Sequence, residues 1–218
     1  MSLSITLILI IVTCIISFTA FNNEKVMNDL IFYPPAISGQ KQYYRFFTCG
    51  FIHANYMHLG FNMYSFWIFG EYVESSFVTV FGVKGKLFYL LMYLTALFFC
   101  LLPTYFKNKT NAQYRSLGAS GAVSAVVFAF IFLEPLQSLR LVFFPPSWGI
   151  PGFIFGFLYL AISSILDKKG GGNINHSAHI WGALYGIAFL ILMGFAFSDY
   201  NLLIVFVNKV QSYLQRFF

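Results

Sequence analysis

The sequence predicts an all-α polytopic membrane protein, a bundle of six transmembrane helices, and three observations carry that prediction. Of its 218 residues, 59% are hydrophobic and 21% aromatic while only 9% are charged, with a mean hydropathy of +0.74; soluble domains do not have this balance. Windows of roughly 20 apolar residues, the length that crosses a bilayer core, recur six times along the chain. No Asp, Glu, Lys or Arg falls in the interior of any of the six.

Taken in order, the first span runs from Leu3 to Ala20. No Lys or Arg precedes it and it is long for the apolar region of a signal peptide, so it reads as a retained helix. The next 33 residues, Phe21 to His53, form a connection too long to be a plain loop; in a compact domain such a segment carries function or structure of its own. Its aromatic residues Tyr43, Tyr44, Phe46 and Phe47 suit a segment partly sunk into the membrane interface. The second span covers Ala54 to Gly70, the third Leu87 to Phe106, the fourth Leu117 to Leu133, the fifth Ile150 to Leu166 and the sixth Ile180 to Phe197. Residues 1–198 thus form one membrane domain. In the tail, residues 199–218, Leu203, Phe206, Val207, Val210, Tyr213, Leu214 and Phe217 fall on one helix face. An amphipathic helix of this kind lies along the membrane surface.

The formal charge of +6 would point to nucleic acid in a soluble protein, but the basic residues are scattered over short loops between spans. The bilayer is the partner the composition implies, and nucleic acid is not. With six spans, the loops on the N-terminal side hold Lys84, Lys86, Arg140, Lys209 and Arg216, while the opposite loops hold Lys25, Lys41, Arg45, Lys107, Lys109, Arg115, Lys168 and Lys169. The positive-inside rule places the second set in the cytoplasm. Cys14, Cys49 and Cys100 are odd in number and embedded in apolar sequence, which is no disulfide framework.

Polar groups inside a bilayer are costly and are functional candidates by default. His58 and Asn62 lie four apart, on one helix face; Ser120 begins the fourth span and His179 the sixth. In a six-span serpentine the starts of spans two, four and six lie on the same side of the membrane, so topology brings these four residues to similar depth. They form a chemical set. A serine hydroxyl is a weak nucleophile until a base takes its proton, and neutral imidazole suits that task. Ser120 and His179 fit nucleophile and general base, with His58, Asn62 and the Ser120 amide as donors to a developing oxyanion. Gly118 and Gly121 allow a tight turn and the close approach of a substrate backbone. The bland readings stand beside this one. "GASGAVSA" is also ordinary small-residue helix packing, and Gly182 with Gly186 forms a GxxxG packing face. His53 with His58, or His176 with His179, has no carboxylate or cysteine at ligand spacing, so no metal is implied.

Taken together, the ordered set resembles the rhomboid family of intramembrane serine proteases. Tyr44-Arg45 resembles the Trp-Arg pair of the family's first loop, and His53, His58 and Asn62 resemble its histidine-rich start of the second span. Gly118-Ala119-Ser120-Gly121 matches the nucleophile motif GxSG, and Ala178-His179 with Gly182 and Gly186 matches AHxxGxxxG. The match runs from about Tyr44 to Gly186.

The resemblance implies a rhomboid-like six-helix bundle with a water-filled cavity, a Ser120–His179 dyad, and cleavage of peptide bonds within or beside the transmembrane helices of membrane-protein substrates. It implies no cofactor. Tyr44 and Arg45 would stabilise the first loop, Glu74 would be structural after the second span, and the fifth helix would lie near a lateral entry route. Gly182 would let the sixth helix approach the fourth. The family arrangement opens the cavity to the extracytoplasmic side, opposite to the charge count, in a multi-pass protein of the cell membrane if bacterial. Two residues depart from the pattern: Tyr44 stands for the usual Trp, and Ser124 stands where many members carry a Tyr packed on the histidine ring. No group that orients His179 is then evident. Inactive members, which serve in binding or trafficking, lack the nucleophile or carry a proline directly before it; here that residue is Ala119.

Overall fold

The structure is a computed structural model that describes residues 3–140, 145–169 and 175–216. Among the described residues it is all-α apart from one pair of two-residue strands. Helix α1, Ile5–Phe21, is capped by Ser4, whose hydroxyl accepts from the Leu7 amide at 3.1 Å. Its polarity runs opposite to that of a soluble helix. Thr6, Leu9, Thr13, Ser17 and Ala20 are buried, while Ile8, Ile11, Val12, Ile15 and Phe18 face outward. Small and hydroxylic residues let helices approach closely where lipid is the solvent.

The long connection has structure of its own: α2 (Glu24–Leu30), α3 (Pro34–Gln40), α4 (Arg45–Thr48) and a 3₁₀ turn at Cys49–Phe51. Buried Arg45 ties it together. Its Nη1 donates to the carbonyls of Asn28 and Ile31, both at 2.8 Å, and its Nε donates to Gln42 Oε1 at 2.5 Å. Phe46 is buried, whereas Tyr43, Tyr44 and Phe47 are exposed.

Helix α5, Tyr56–Phe81, begins at an Asn55 cap and continues well past the expected end at Gly70. It therefore carries Glu71 and Glu74 beyond the expected end of the span, and Glu74 lies within the helix rather than after it. Both carboxylates meet the start of α1. Glu74 accepts from the Ile5 and Thr6 amides at 2.9 Å each and from Thr6 Oγ1 at 3.0 Å; Glu71 accepts from Ser4 Oγ. A carboxylate on otherwise unpartnered N-terminal amides is paired and close to the positive end of the helix dipole, so the usual membrane penalty does not apply. Tyr89 closes the node from α6, its hydroxyl 2.8 Å from Thr6 Oγ1.

After a turn at Gly82, which has φ +57°, the third predicted span is split into α6 (Gly85–Phe99) and α7 (Leu102–Asn108). Pro103 explains the break, since it fits only the first turn of a new helix. Helix α8, Ser120–Leu133, is the core of the bundle. Gly121 to Val126 and Phe128 to Phe132 are all buried, as expected of a helix apolar on every side. A short antiparallel pair, β1 (Ser138–Leu139) with β2 (Ile150–Pro151), leads into α9, Gly152–Lys169. Then follow α10, His176–Phe197, and α11, Leu202–Leu214.

Helices α1, α5, α6, α8, α9 and α10 occupy the six expected places. By length and composition, the stretches Tyr56–Asn108 and His176–Phe197 suffice to cross a membrane, whereas Ile5–Phe21 and Ser120–Leu133 are apolar but shorter. The packed face of α11 shares Phe206 and Tyr213 with the expected one and is rotated from the rest of it: Leu202 is buried, Phe206 stacks on Phe132 at 4.8 Å, and Tyr213 meets Phe153, while Phe217 lies outside the described residues. Leu203, Val207 and Leu214 point away. Apolar residues abound on both sides of this helix, so spacing alone did not choose the packed side. Lys209 fixes the register by donating to the Leu133 carbonyl at 2.9 Å and Glu134 Oε2 at 3.1 Å, at the C-terminal end of α8.

Candidate active site

The starts of α5, α8 and α10 meet at one end of the bundle around a cavity of about 410 Å³. His58, Asn62, Gly118, Ser120, Gly121 and His179 all line it, as do Cys49 and Cys100. Tyr44, Arg45, Glu74, Gly182 and Gly186 do not, and each of these acts elsewhere in the fold.

The loop leading to Ser120 is built by contacts with the first connection. Phe32 and Ser116 exchange backbone hydrogen bonds at 3.0 and 3.1 Å, and the Gly118 amide donates to the Cys49 carbonyl at 2.9 Å. Gly118 has φ +111°, and a Cβ there would fall 2.7 Å from His58 Cε1. Only glycine satisfies both constraints. His53 supports the same loop from beneath. Its Nε2 accepts from the Ala119 amide at 3.4 Å, which leaves Nδ1 to donate to Ser17 Oγ at 3.0 Å; Ser17 in turn donates to the Phe51 carbonyl at 2.9 Å. Burial, with His58 adjacent, pushes the His53 pKa down to about 3, so this ring stays neutral and its tautomer is fixed by its partners.

Ser120 is the first residue of α8, where its amide has no intrahelical acceptor. His179 lies in the first turn of α10, whose Asn175 cap accepts from the Ala178 amide at 3.0 Å and from Thr104 Oγ1 at 3.1 Å. His179 Nε2 sits 2.7 Å from Ser120 Oγ. The two helices come this close because Gly182 and Gly186 abut the backbone of Gly121 and Ala125, so that a Cβ on either would collide with a carbonyl oxygen of α8. A Cβ on Gly121 would fall 2.5 Å from Cys100 Sγ.

Also lining the cavity, His58 accepts at Nδ1 from the Ala54 amide at 3.4 Å, so in the neutral ring Nε2 carries the proton. One Asn62 N–H is spent on the His58 carbonyl at 2.9 Å, leaving the other as a donor. Tyr44 is exposed; its ring lies 5.5 Å from the Arg45 guanidinium carbon and its hydroxyl 3.4 Å from Gln42 Oε1.

Sequence reasoning named His53 without this supporting role, and it missed Asn175 at the start of α10 and Tyr159 of α9, whose ring lies against His179. An Asn or a Ser/Thr directly before a helix is a readable cap signal, and Asn175 carries it. The other two depend on packing between distant segments.

The model of the Rhomboid domain matches residues 40–195 of the chain. The chain is 27% identical over 178 residues to RHOMBOID-like protein 12, mitochondrial, of Arabidopsis thaliana, covering 77% of this chain and 51% of that protein. It is 30% identical over 144 residues to the presenilin-associated rhomboid-like protein, mitochondrial, of Homo sapiens, covering 63% and 34%. Identity to Rhomboid protein 1, mitochondrial, of Saccharomyces cerevisiae is 28% over 146 residues, covering 64% and 38%. The chain thus spans between about a third and a half of the length of these relatives. Their names place them in mitochondria, which lends no support to a bacterial cell membrane for this chain.

Proposed function

The chain belongs to the rhomboid family of integral membrane proteins, and on that premise we propose that it is an intramembrane serine endopeptidase. Its substrates are transmembrane proteins, cut within or beside a membrane-spanning helix. The observation that carries this reading is the 2.7 Å approach of His179 Nε2 to Ser120 Oγ at the cavity wall.

In the reaction, Ser120 Oγ bonds to the scissile carbonyl carbon as its proton passes to His179 Nε2, and the carbonyl π pair moves onto oxygen. The donors assigned to that oxyanion are the Ser120 amide, the His58 Nε2–H and the second Asn62 N–H, since all three residues line the cavity. Collapse breaks the C–N bond, and the departing amine takes the proton from His179. A water then gives a proton to His179 and attacks the acyl carbon; release of the carboxylic acid returns the proton to Ser120. No cofactor enters. A helical substrate hides its carbonyls in hydrogen bonds, so it must unwind locally to reach Ser120, and helices interrupted by glycine will be cut faster than uninterrupted poly-leucine.

The test is fluorophosphonate labelling of the detergent-solubilised chain, read by mass spectrometry. Labelling at Ser120 that is lost in Ser120→Ala and in His179→Ala supports the reading. A folded wild-type chain whose cavity admits the probe, yet remains unlabelled, refutes it in favour of a binding or trafficking role.

A further inference from the structure

The hydrogen bond to Ser120 fixes one atom of the His179 ring but leaves the ring free to swing about it, since the terminal torsion of histidine is broad. Ser124, one turn beyond the nucleophile on α8, is too short to restrain that swing. His176, one turn earlier on α10, meets the imidazole edge-on, with centroids 6.0 Å apart and planes inclined by 78°, whereas a ring lying along its plane comes from a different helix. The ring of Tyr159 on α9 lies alongside the imidazole, with centroids 6.4 Å apart and planes inclined by 25°, an offset-stacked arrangement. Tyr159 is itself held on two sides. Its hydroxyl lies 3.4 Å from the hydroxyl of buried Ser124, and its ring packs on Phe128 at 5.6 Å. Gly156, one turn earlier, lets α9 come near enough: a Cβ there would already stand 3.3 Å from Phe128 Cε1.

We propose that Tyr159 is the positioning residue for His179, its ring, packed on Phe128, setting the plane of the imidazole. The inference rests on the Ser120–His179 reading above. The placement of α9 thereby enters the chemical step: any displacement of this helix away from α8 removes the plate against which His179 is held.

The experiment compares the full chain with Tyr159→Phe, Tyr159→Leu and Tyr159→Met, measuring the rate of fluorophosphonate labelling at Ser120, and kcat and KM on a transmembrane model substrate. Thermal unfolding identifies which variants are folded. A positioning role predicts that the non-planar leucine and methionine variants lose about 10- to 100-fold in labelling rate and kcat, as expected for a misaligned reacting group. KM stays within about threefold, and Tyr159→Phe, which keeps the plane, stays within about threefold of wild type in all readings. If leucine alone fails to fold, the more adaptable methionine decides. A folded non-planar variant that labels like wild type overturns the proposal, as does a phenylalanine variant as impaired as the others. A wild-type chain that does not label overturns the dyad itself, and Tyr159 with it; loss confined to the non-planar variants cannot arise that way.

Discussion

Adding one methyl group at Gly182 tests whether helix contact sets the geometry of the dyad. A Cβ at this position would collide with the Gly121 carbonyl oxygen and stand 2.8 Å from its carbonyl carbon, where ordinary contact begins at 3.4 Å. Relieving the carbon contact alone requires α8 and α10 to part by about 0.6 Å. Gly121 follows Ser120 directly and Gly182 lies one turn after His179, so the same displacement stretches the 2.7 Å dyad contact to about 3.3 Å, beyond ordinary reach for proton transfer. Misplacement on this scale costs about 10²-fold in rate, equivalent to about 2.7 kcal/mol of transition-state stabilisation. The assay is kcat/KM of Gly182→Ala on a transmembrane substrate, with the Ser120 labelling rate beside it. Gly60→Ala on α5, where an added Cβ meets nothing within 4 Å, serves as control. A Gly182→Ala protein that remains folded and within threefold of wild type refutes the claim that this contact sets the dyad.

Asn62→Ala removes one oxyanion donor and is expected to lower kcat by about 10²–10³, with little change in KM; unchanged turnover takes Asn62 out of the site. Glu74→Ala strips the acceptor from two amides at the start of α1, and at about 1–3 kcal/mol for each unsatisfied donor the loss of stability is expected to total roughly 2–4 kcal/mol. It is measured by thermal or denaturant unfolding, and the folded fraction is expected to keep its labelling rate because the node lies at the opposite end of α1 from His53. Arg45→Lys keeps the charge but not the fork that reaches Asn28, Ile31 and Gln42 together. It is expected to lower the midpoint of unfolding nearly as far as Arg45→Ala, whereas equal stability of the lysine variant and wild type would show that charge alone suffices.

Much of the site was legible because its chemistry sits in local strings. Gly118 to Gly121 and Ala178 to Gly186 each announce a helix start with a small-residue face, and alternation of span direction places both at one end. Where reading failed, a partner far along the chain had changed the cost of a residue. Glu71 ended the second window because an acid in a span looks forbidden, yet Ser4, Ile5 and Thr6 receive these two carboxylates. Arg45 was counted as a loop charge, but it is buried on backbone carbonyls and serves as a fold element. Tyr159 carries no motif; its meaning exists only once Gly156 has set α9 against Phe128. The split at Cys100–Leu101 was readable from Pro103, which a window of hydropathy averages away.

The inverted polarity of α1 divides its sequence into two independent scripts. The buried face is written in Thr6, Leu9, Thr13, Ser17 and Ala20, whereas Ile8, Ile11, Val12 and Ile15 face the medium outside. An engineer seeking a version that dissolves in water can therefore rewrite the second script in glutamate and lysine without editing a letter of the first. The same division foretells which positions drift freely among aliphatics over evolutionary time, and which exchange only among residues small enough to leave the helix where it stands.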